Sequence, residues 1–117
     1  MQYVDVYIAA VPIENKAAYI ALGEASAQIF KDVGALMCVD AWEDDVPEGE
    51  QTSFSMAVQR KPGEAIATGY VVWPDKETRD KGMLAMREDP RMTDPSFTPP
   101  FDGKRLIFGG FQKIVDL

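Results

Sequence analysis

The chain has 117 residues and a formal net charge of −7, and 46% of its residues are hydrophobic. This composition is typical of one globular domain, here residues 1–117, and excludes a disordered chain. Its only basic clusters are Arg60-Lys61 and Lys104-Arg105, which excludes nucleic acid and an anionic membrane surface as partners.

The first part of the chain predicts two strands that flank a helix. Residues 2–11 alternate and are rich in β-branched and aromatic side chains, so they predict a strand that ends at Pro12. Apolar residues then recur at helical spacing over 14–33, and Gly34 stands where a C-terminal glycine cap belongs. Residues 35–42 predict the second strand.

An acidic tract follows, from Asp40 to Glu50. Hard cations prefer oxygen ligands at ordered spacing, but this tract lacks the calcium-loop pattern. We therefore interpret it as a solvated loop and expect no metal site. Residues 53–59 fit a short strand or a turn of helix equally well, whereas 65–73 predict a third strand.

The last part of the chain predicts a helix, a loop and a strand. Asp75 is placed to cap the helix and Pro90 to end it. Prolines fill the loop over 90–103, and a final strand is predicted over 104–115. Paired glycines within this strand, Gly109-Gly110, are typical of a bulge or of a close approach by another backbone or a ligand.

The element order β-α-β-β-α-β predicts an α+β, ferredoxin-like fold, in which two helices cover one face of an antiparallel sheet. The strands are apolar on both faces, although the helices cover only one. A second copy of the chain is the simplest cover for the other face, so we expect a homodimer that packs sheet against sheet. Tyr3, Asp5 and Tyr7 are assigned to this dimer face.

Several segments along the whole chain resemble the YbaA-like family of small bacterial proteins. They are Tyr3-Val4-Asp5, Asp45-Val46-Pro47, Asp89-Pro90-Arg91-Met92, Pro100-Phe101-Asp102-Gly103-Lys104-Arg105 and Gly109-Gly110-Phe111. The family is a domain of unknown function, and the resemblance implies a dimeric α/β barrel. It brings no catalytic residues that can be transferred to this chain, and a shared fold does not by itself identify an activity.

The chain contains no histidine. This excludes nucleophile pairs that use histidine, haem with a histidine ligand, and histidine-based zinc or iron sites. Proton transfer would fall to Asp, Glu, Tyr, Lys or Cys, and we expect no cofactor.

Asp5 is the candidate catalytic residue, because a carboxylate between two tyrosines on a covered face would be partly desolvated. It would act as a base or as an anchor for a ligand in a barrel cavity. The alternative is a structural ion pair with Lys104 or Arg105, and we favour this alternative.

Candidate ligand-binding residues are Tyr7, Tyr70, Arg91, Asp102 and Arg105. The arginines would hold an anionic group, and the tyrosines would form hydrogen-bonding walls. Each has a structural alternative: Arg91 would bond the carbonyls that end the second helix, and Asp102-Gly103 is a common turn. The tyrosines are also ordinary core residues.

Cys38 is the only cysteine, which excludes an internal disulfide and favours a cytoplasmic location. It lies in an apolar strand and is interpreted as a small buried hydrophobe. No signal peptide and no membrane-spanning segment are expected.

Three functions remain open on the sequence alone. The chain binds a small, partly aromatic or anionic molecule in a cavity between sheet and helices, with or without cofactor-free chemistry. Alternatively, it is a non-catalytic dimer that senses a ligand or binds another protein, or it is a purely structural dimer.

Overall fold

The computed structural model describes residues 1–94 and 98–117. Residues 95–97 of the predicted loop over 90–103 lie outside the described residues. The elements within these ranges are strands β1 (Tyr3–Pro12), β2 (Met37–Trp42), β3 (Glu64–Trp73) and β4 (Ile107–Gln112), and helices α1 (Lys16–Asp32), α2 (Phe54–Ala57) and α3 (Lys76–Glu88). Short 3-10 turns precede α1 at Ile13–Asn15 and β4 at Gly103–Arg105.

The four strands form one antiparallel sheet in the order β2-β3-β1-β4. Helices α1 and α3 contact each other and pack on one face of this sheet. The α+β, ferredoxin-like arrangement predicted from the element order is thereby confirmed. No helix in the described ranges has the length and apolarity that crossing a membrane would require.

Three local signals explain where the helices begin and end. Gly34 has φ +116°, a conformation that glycine adopts without steric cost, and it comes directly after Val33, the residue that caps the end of α1. The side chain of Asp75 caps α3 by accepting a hydrogen bond from the backbone N–H of Thr78 at 2.7 Å. Ser53 caps α2 in the same way through Met56 N–H, at 3.0 Å, so the ambiguous segment over 53–59 contains one turn of helix.

Strand β4 is shorter at both ends than the predicted strand over 104–115. At its start, the Asp102 side chain accepts a hydrogen bond from Lys104 N–H at 3.0 Å, which holds residues 103–105 in a turn. At its end, Lys113 N–H bonds to Gln2 O at 3.0 Å, just before β1 begins. Beyond Lys113 the chain has passed the start of β1, so no neighbouring strand remains to pair with it.

The core between sheet and helices centres on Trp73, which is fully buried. Phe30 and Val33 of α1 and Met83 of α3 pack against the cluster that contains it. Gly82 of α3 faces the indole directly, because a Cβ atom built there would lie 2.5 Å from the ring. The close packing of α3 on the sheet therefore requires a residue without a side chain at this position.

The opposite side of the sheet, here called the open face, is only partly covered. At one end Val58, which follows α2, packs against Ala10 and Ile66 in a buried cluster. The remainder is apolar and largely solvent-exposed: Met37, Tyr70, Ile107 and Phe111 are 40–58% exposed. The prediction that both faces of the sheet are apolar therefore describes this protein well.

The assignment of Tyr3, Asp5 and Tyr7 to the open face was wrong. Asp5 and Tyr3 lie opposite Val71 and Trp73 in the β1–β3 register, so they share the helix-covered face. Strand alternation separates two sets of side chains, but it does not say which set the helices cover.

Candidate functional site

A cavity of about 400 Å³ lies between the helix-covered face of the sheet, helices α1 and α3, and the segment that leads into β4. Helix α1 contributes the residues at the i, i+3, i+4, i+7 and i+11 positions of one face, from Tyr19 to Phe30. Most of the wall is apolar, from residues such as Leu22, Phe30, Val71, Met83, Phe101 and Phe108.

Two tyrosine hydroxyls and one carboxylate form a hydrogen-bonded cluster in the cavity wall. Tyr7 on β1 donates to Asp40 Oδ1 on β2 at 2.6 Å, and Tyr19 on α1 donates to the same oxygen at 3.0 Å. Neither Tyr19 nor Asp40 was predicted as a site residue. The signal in the sequence was an acid between apolar residues of the strand over 35–42, which we had interpreted as part of the solvated acidic tract.

The cluster forms because Gly69 stands between its two strands. Tyr7 and Asp40 are each paired with Gly69, on opposite sides of β3. A Cβ atom at Gly69 would lie 2.4 Å from the Tyr7 hydroxyl oxygen, so only glycine lets the phenol cross this strand. The sheet backbone thereby sets where the hydroxyl and the carboxylate meet.

Both tyrosines in the cluster remain protonated well into the alkaline range. Burial raises the pKa of Tyr7, and the hydrogen bond to Asp40 and the charge of Asp40 raise it further. Burial also raises the pKa of Tyr19, with Asp40 again adding to the effect. Both hydroxyls are therefore hydrogen-bond donors at neutral pH, and Asp40 is their acceptor.

A second cavity of about 270 Å³ lies between α1 and β2 and shares Tyr19, Gly23 and Asp40 with the first. Asp40 therefore stands where the two cavities meet. The ammonium of Lys16 lies over the Trp42 ring in the second cavity, 5.2 Å from its centroid.

Cys38 also lines the second cavity, and its thiol lies 3.9 Å from Ala27 O. Burial is the largest cause that raises the pKa of this thiol, so little of it is thiolate at neutral pH. The geometry agrees with a packing role for Cys38.

Asp5 is buried in the cavity wall, but its partner is neither Lys104 nor Arg105. Arg79 of α3 binds it through Nη2 to Oδ1 at 2.8 Å and through Nε to Oδ2 at 3.1 Å. Trp73 Nε1 donates to Oδ2 at 2.9 Å. Asp5 therefore forms an ion pair, as the favoured alternative predicts, but its partner is Arg79 and not Lys104 or Arg105.

Gly110 on β4 is paired with Asp5 in the sheet and therefore lies next to this ion pair. A Cβ atom there would lie 2.5 Å from the Tyr3 hydroxyl oxygen and 2.8 Å from Arg79 Nη2. The register of β4 along β1 is continuous at this point, so no bulge is present. Side chains from β1 and α3, rather than a ligand or another backbone, make the close approach to Gly110.

The structure places the other predicted ligand-binding residues away from the cavity. Arg91 Nη2 lies 2.8 Å from Asp89 Oδ2 and its Nη1 3.3 Å from Asp32 Oδ2, which joins the ends of α3 and α1. Tyr70 lies on the open face, opposite Val6. Of the five residues predicted to bind a ligand, only Tyr7 lines the cavity.

Arg105 and Asp102 belong to an ion-pair network beside β3. Arg105 binds both carboxylate oxygens of Glu64, at 2.7 and 2.8 Å, and its Nε binds Asp102 at 3.0 Å. The hydrogen bond from Arg105 is the largest cause that lowers the pKa of Glu64.

Two acids of the acidic tract contact protein groups. Arg60 contacts the carboxylates of both Glu43 and Glu48, and Glu43 in addition accepts the Ile66 backbone N–H at 2.7 Å. This last hydrogen bond is the largest cause that lowers the pKa of Glu43. Glu43 is therefore tied to β3, whereas Asp44, Asp45, Glu48 and Glu50 are exposed, as the interpretation as a solvated loop predicts.

A family model described as "Protein of unknown function (DUF1428)" matches residues 2–103. The chain is 43% identical over 116 residues to the uncharacterized protein YbaA of Escherichia coli strain K12, an alignment that covers 99% of each chain. The YbaA protein of Shigella flexneri matches with the same identity and coverage.

Solved structures with low sequence identity share the fold. A MhuD mutant with two manganese protoporphyrin IX groups bound per active site is 13% identical, covers 98% of this chain and 97% of its own, and has a TM-score of 0.62. A dimeric ferredoxin-like protein from an uncultured marine organism is also 13% identical, with coverages of 99% and 96% and a TM-score of 0.60. Rv0793 from Mycobacterium tuberculosis is 10% identical, with coverages of 99% and 98% and a TM-score of 0.54.

Proposed function

The chain belongs to the YbaA-like DUF1428 family, whose function is unknown, and from this premise we propose that it binds a small, largely apolar aromatic molecule in the cavity between sheet and helices. The observation that carries this proposal is the cavity itself. Its volume of about 400 Å³ is within the range of ligand sites in proteins, and an apolar wall with a few converging polar groups is typical of such sites.

The charges of the wall argue against the anionic ligand that the sequence left open. Within residues 1–94 and 98–117, the lining includes Asp5 and Asp40 but no lysine or arginine. Arg91 and Arg105, the expected anion holders, are bound to carboxylates elsewhere. An anion in this cavity would therefore meet the carboxylate of Asp40 without a lysine or arginine of the lining beside it.

The MhuD neighbour is described with protoporphyrin bound, so a protein of this fold accommodates large planar rings. The residues of the present chain do not fit a haem group. The sequence contains no histidine, and the cavity tyrosines Tyr7 and Tyr19 donate to Asp40 and stay protonated. We therefore propose an organic molecule, and not haem, as the ligand of the cavity.

Any cofactor-free chemistry on that molecule would fall to the cluster of Tyr7, Asp40 and Tyr19. Asp5, the candidate from the sequence, is occupied by Arg79 and Trp73, and proton transfer to it would break a buried ion pair. In this proposal Asp5 supports the wall, and Asp40 is the group that meets the ligand.

A cavity-filling variant tests the proposal. Ser26 lines the cavity from α1, whereas the neighbouring Ala25 is exposed and outside the lining. Indole titrated into isotopically labelled protein should shift NMR signals around the cavity. Ser26→Phe should abolish these shifts while Ala25→Phe retains them, with melting temperatures reporting that both variants fold. Indole shifts that map elsewhere, or that persist in Ser26→Phe, would refute the proposal.

A second proposal concerns assembly: the open face is covered by a second copy of the chain. Four large apolar side chains are 40–58% exposed there, and an apolar sheet face of this kind is typical of a permanent contact. A neighbour with TM-score 0.60 over nearly the whole chain is described as dimeric, which supports a second copy as the occupant. In a dimer with two-fold symmetry, the open face of one copy can pack against the open face of the other.

Sedimentation of two matched variants tests the dimer. Phe111→Glu places a carboxylate on the open face twice per dimer and should weaken association by about tenfold or more. Leu84→Glu on α3, which is 51% exposed on the helix side, should leave association unchanged. A monomer at micromolar concentration for the parent protein would contradict the proposal, as would equal association of both variants.

The cytoplasmic location also stays a proposal, supported by a single cysteine that is partly buried and has no disulfide partner. Fractionation of cells that produce the protein with a C-terminal tag measures it directly, and a tagged protein found outside the cytoplasm would contradict it.

A further inference from the structure

We infer that the ligand of the cavity carries a protonated amine, which binds Oδ2 of Asp40, the carboxylate oxygen that the two tyrosines do not bind. This inference rests on the proposed ligand-binding function and adds the chemical class of the ligand.

The first argument is the balance of charge in the wall. Asp5 is neutralised by Arg79, which binds both of its oxygens. Among the described residues, Asp40 receives hydrogen bonds only from the hydroxyls of Tyr7 and Tyr19, which are neutral donors. Asp40 is solvent-exposed, and the part of the chain that the structure describes puts no lysine or arginine into the lining, so this carboxylate has no cationic partner in the wall. A ligand with a positive group would compensate it.

The second argument is the geometry of Asp40. Both tyrosine hydroxyls bind Oδ1, and among the described residues no hydrogen bond to Oδ2 is found. The two phenols hold the carboxylate in one orientation, with its second oxygen available. Such preorganisation lowers the cost of binding a donor.

Gly23 of α1 keeps this oxygen accessible. A Cβ atom at Gly23 would lie 3.0 Å from Asp40 Oδ2, so a larger residue would crowd the oxygen from the helix side. Both cavities meet at Gly23 and Asp40, which gives an amine access to Oδ2 while its ring occupies the larger cavity.

The walls suit an ammonium attached to an aromatic ring. Tyr19, Phe101 and Phe108 provide ring faces and edges around the larger cavity. The lysine that lines the second cavity, Lys16, lies over Trp42, and the hydrogen bonds to Asp40 within the described ranges come from Tyr7 and Tyr19 instead. Asp40 is thus left for an external cation.

Three probes with one ring and different charge test the inference: tryptamine, which is cationic, 3-methylindole, which is neutral, and indole-3-acetate, which is anionic. Calorimetric titration of the full chain gives their affinities. We expect tryptamine to bind about tenfold or more tightly than indole-3-acetate, because hydrogen bonds to charged groups are the stronger ones.

Asp40→Asn should remove most of that difference, since the amide keeps an oxygen for the tyrosines but loses the charge. Asp44→Asn is the matched control, because it changes the net charge equally from an exposed position outside both cavities. Melting temperatures and the affinity for 3-methylindole show whether each variant retains its fold and cavity.

The outcomes separate this inference from the function on which it rests. If 3-methylindole binds in the cavity but tryptamine has no advantage, or if its advantage survives in Asp40→Asn, the amine inference is wrong and the cavity function stands. If none of the three probes binds, the cavity function falls, and the inference falls with it.

Discussion

Arg79 and Asp5 join helix α3 to strand β1 through three contacts, Nη2 to Oδ1 at 2.8 Å and Nε to Oδ2 and Oδ1 at 3.1 and 3.2 Å. The Asp5 side chain is 10% exposed and that of Arg79 is 23% exposed. An ion pair so well buried contributes little when intact compared with what its disruption costs, because the remaining charge is left without a partner.

Asp5→Asn should therefore destabilise the protein by about 3 kcal/mol, the lower end for a broken buried pair since water still reaches Arg79. Urea denaturation measures the change. Asp80→Asn removes the other carboxylate that Arg79 contacts, but its side chain is 49% exposed, so we expect a much smaller loss of stability than for Asp5→Asn. Equal urea midpoints for Asp5→Asn and the parent would show that the pair does not support the fold.

Gly82→Ala should destabilise the protein by about 1–3 kcal/mol, because the new methyl group would overlap the Trp73 ring. In an exposed helix the same substitution would normally stabilise. Gly103→Ala is the control, since nothing lies within 4 Å of its Cβ position, and its effect should stay within about 0.5 kcal/mol. A neutral or stabilising Gly82→Ala would mean that α3 packs less closely on Trp73 than the 2.5 Å distance from its Cβ position requires.

The free energy of unfolding should decrease in alkaline solution, because Tyr7 and Tyr19 lose their protons more easily in the unfolded chain than in the folded one. Their folded-state pKa values are raised above 10.0, so the stability is fully present below pH 10.0 and is lost as the pH rises towards the folded values. The slope for each tyrosine is at most about 1.4 kcal/mol per pH unit. Tyr7→Phe should make the decline shallower.

Urea denaturation at several values between about pH 9 and pH 11 gives these slopes. Because burial is the largest cause for both tyrosines, Asp40→Asn should retain part of the decline. Identical slopes for the parent and Tyr7→Phe would contradict the described environment of Tyr7.

Arg105→Gln should destabilise the protein, because it leaves the Glu64 carboxylate, 8% exposed, without its cation. The lowered pKa of Glu64 means that the stability from this pair is present above pH 4.5 and is lost as the pH falls, so the variant should also depend less on acid pH. Lys104→Gln, at the exposed neighbouring position, is the control. Full stability together with loss of ligand binding in Arg105→Gln would restore Arg105 as a ligand-binding residue.

The sequence predicted those parts of the fold that depend on local patterns. Helix α1 followed from apolar spacing and from Gly34, and the capping role of Asp75 followed from a short polar residue before a helical segment. Segment 53–59 stayed open because a single turn of helix is too short to show a period. Its packing on the open face through Val58 depends on residues far away in the chain.

The candidate site was less predictable because its contacts join distant residues. Asp5 and Arg79 are 74 positions apart, and Tyr7 and Asp40 are 33 apart. No spacing rule within one element relates such pairs. The Tyr7 contact also requires Gly69, but the sequence around Gly69 does not indicate which side chain of a neighbouring strand will pass over it.

Asp5 and Tyr7 are two residues apart on the same face of β1, so the ion pair with Arg79 has a consequence for folding fidelity. A slip of β1 by one residue would turn Val4 or Val6 towards Arg79 and move Tyr7 away from Gly69. The misaligned strand would then lose both the ion pair of Asp5 with Arg79 and the hydrogen bond of Tyr7 with Asp40. The Arg79 ion pair therefore favours the strand alignment that assembles the cavity wall.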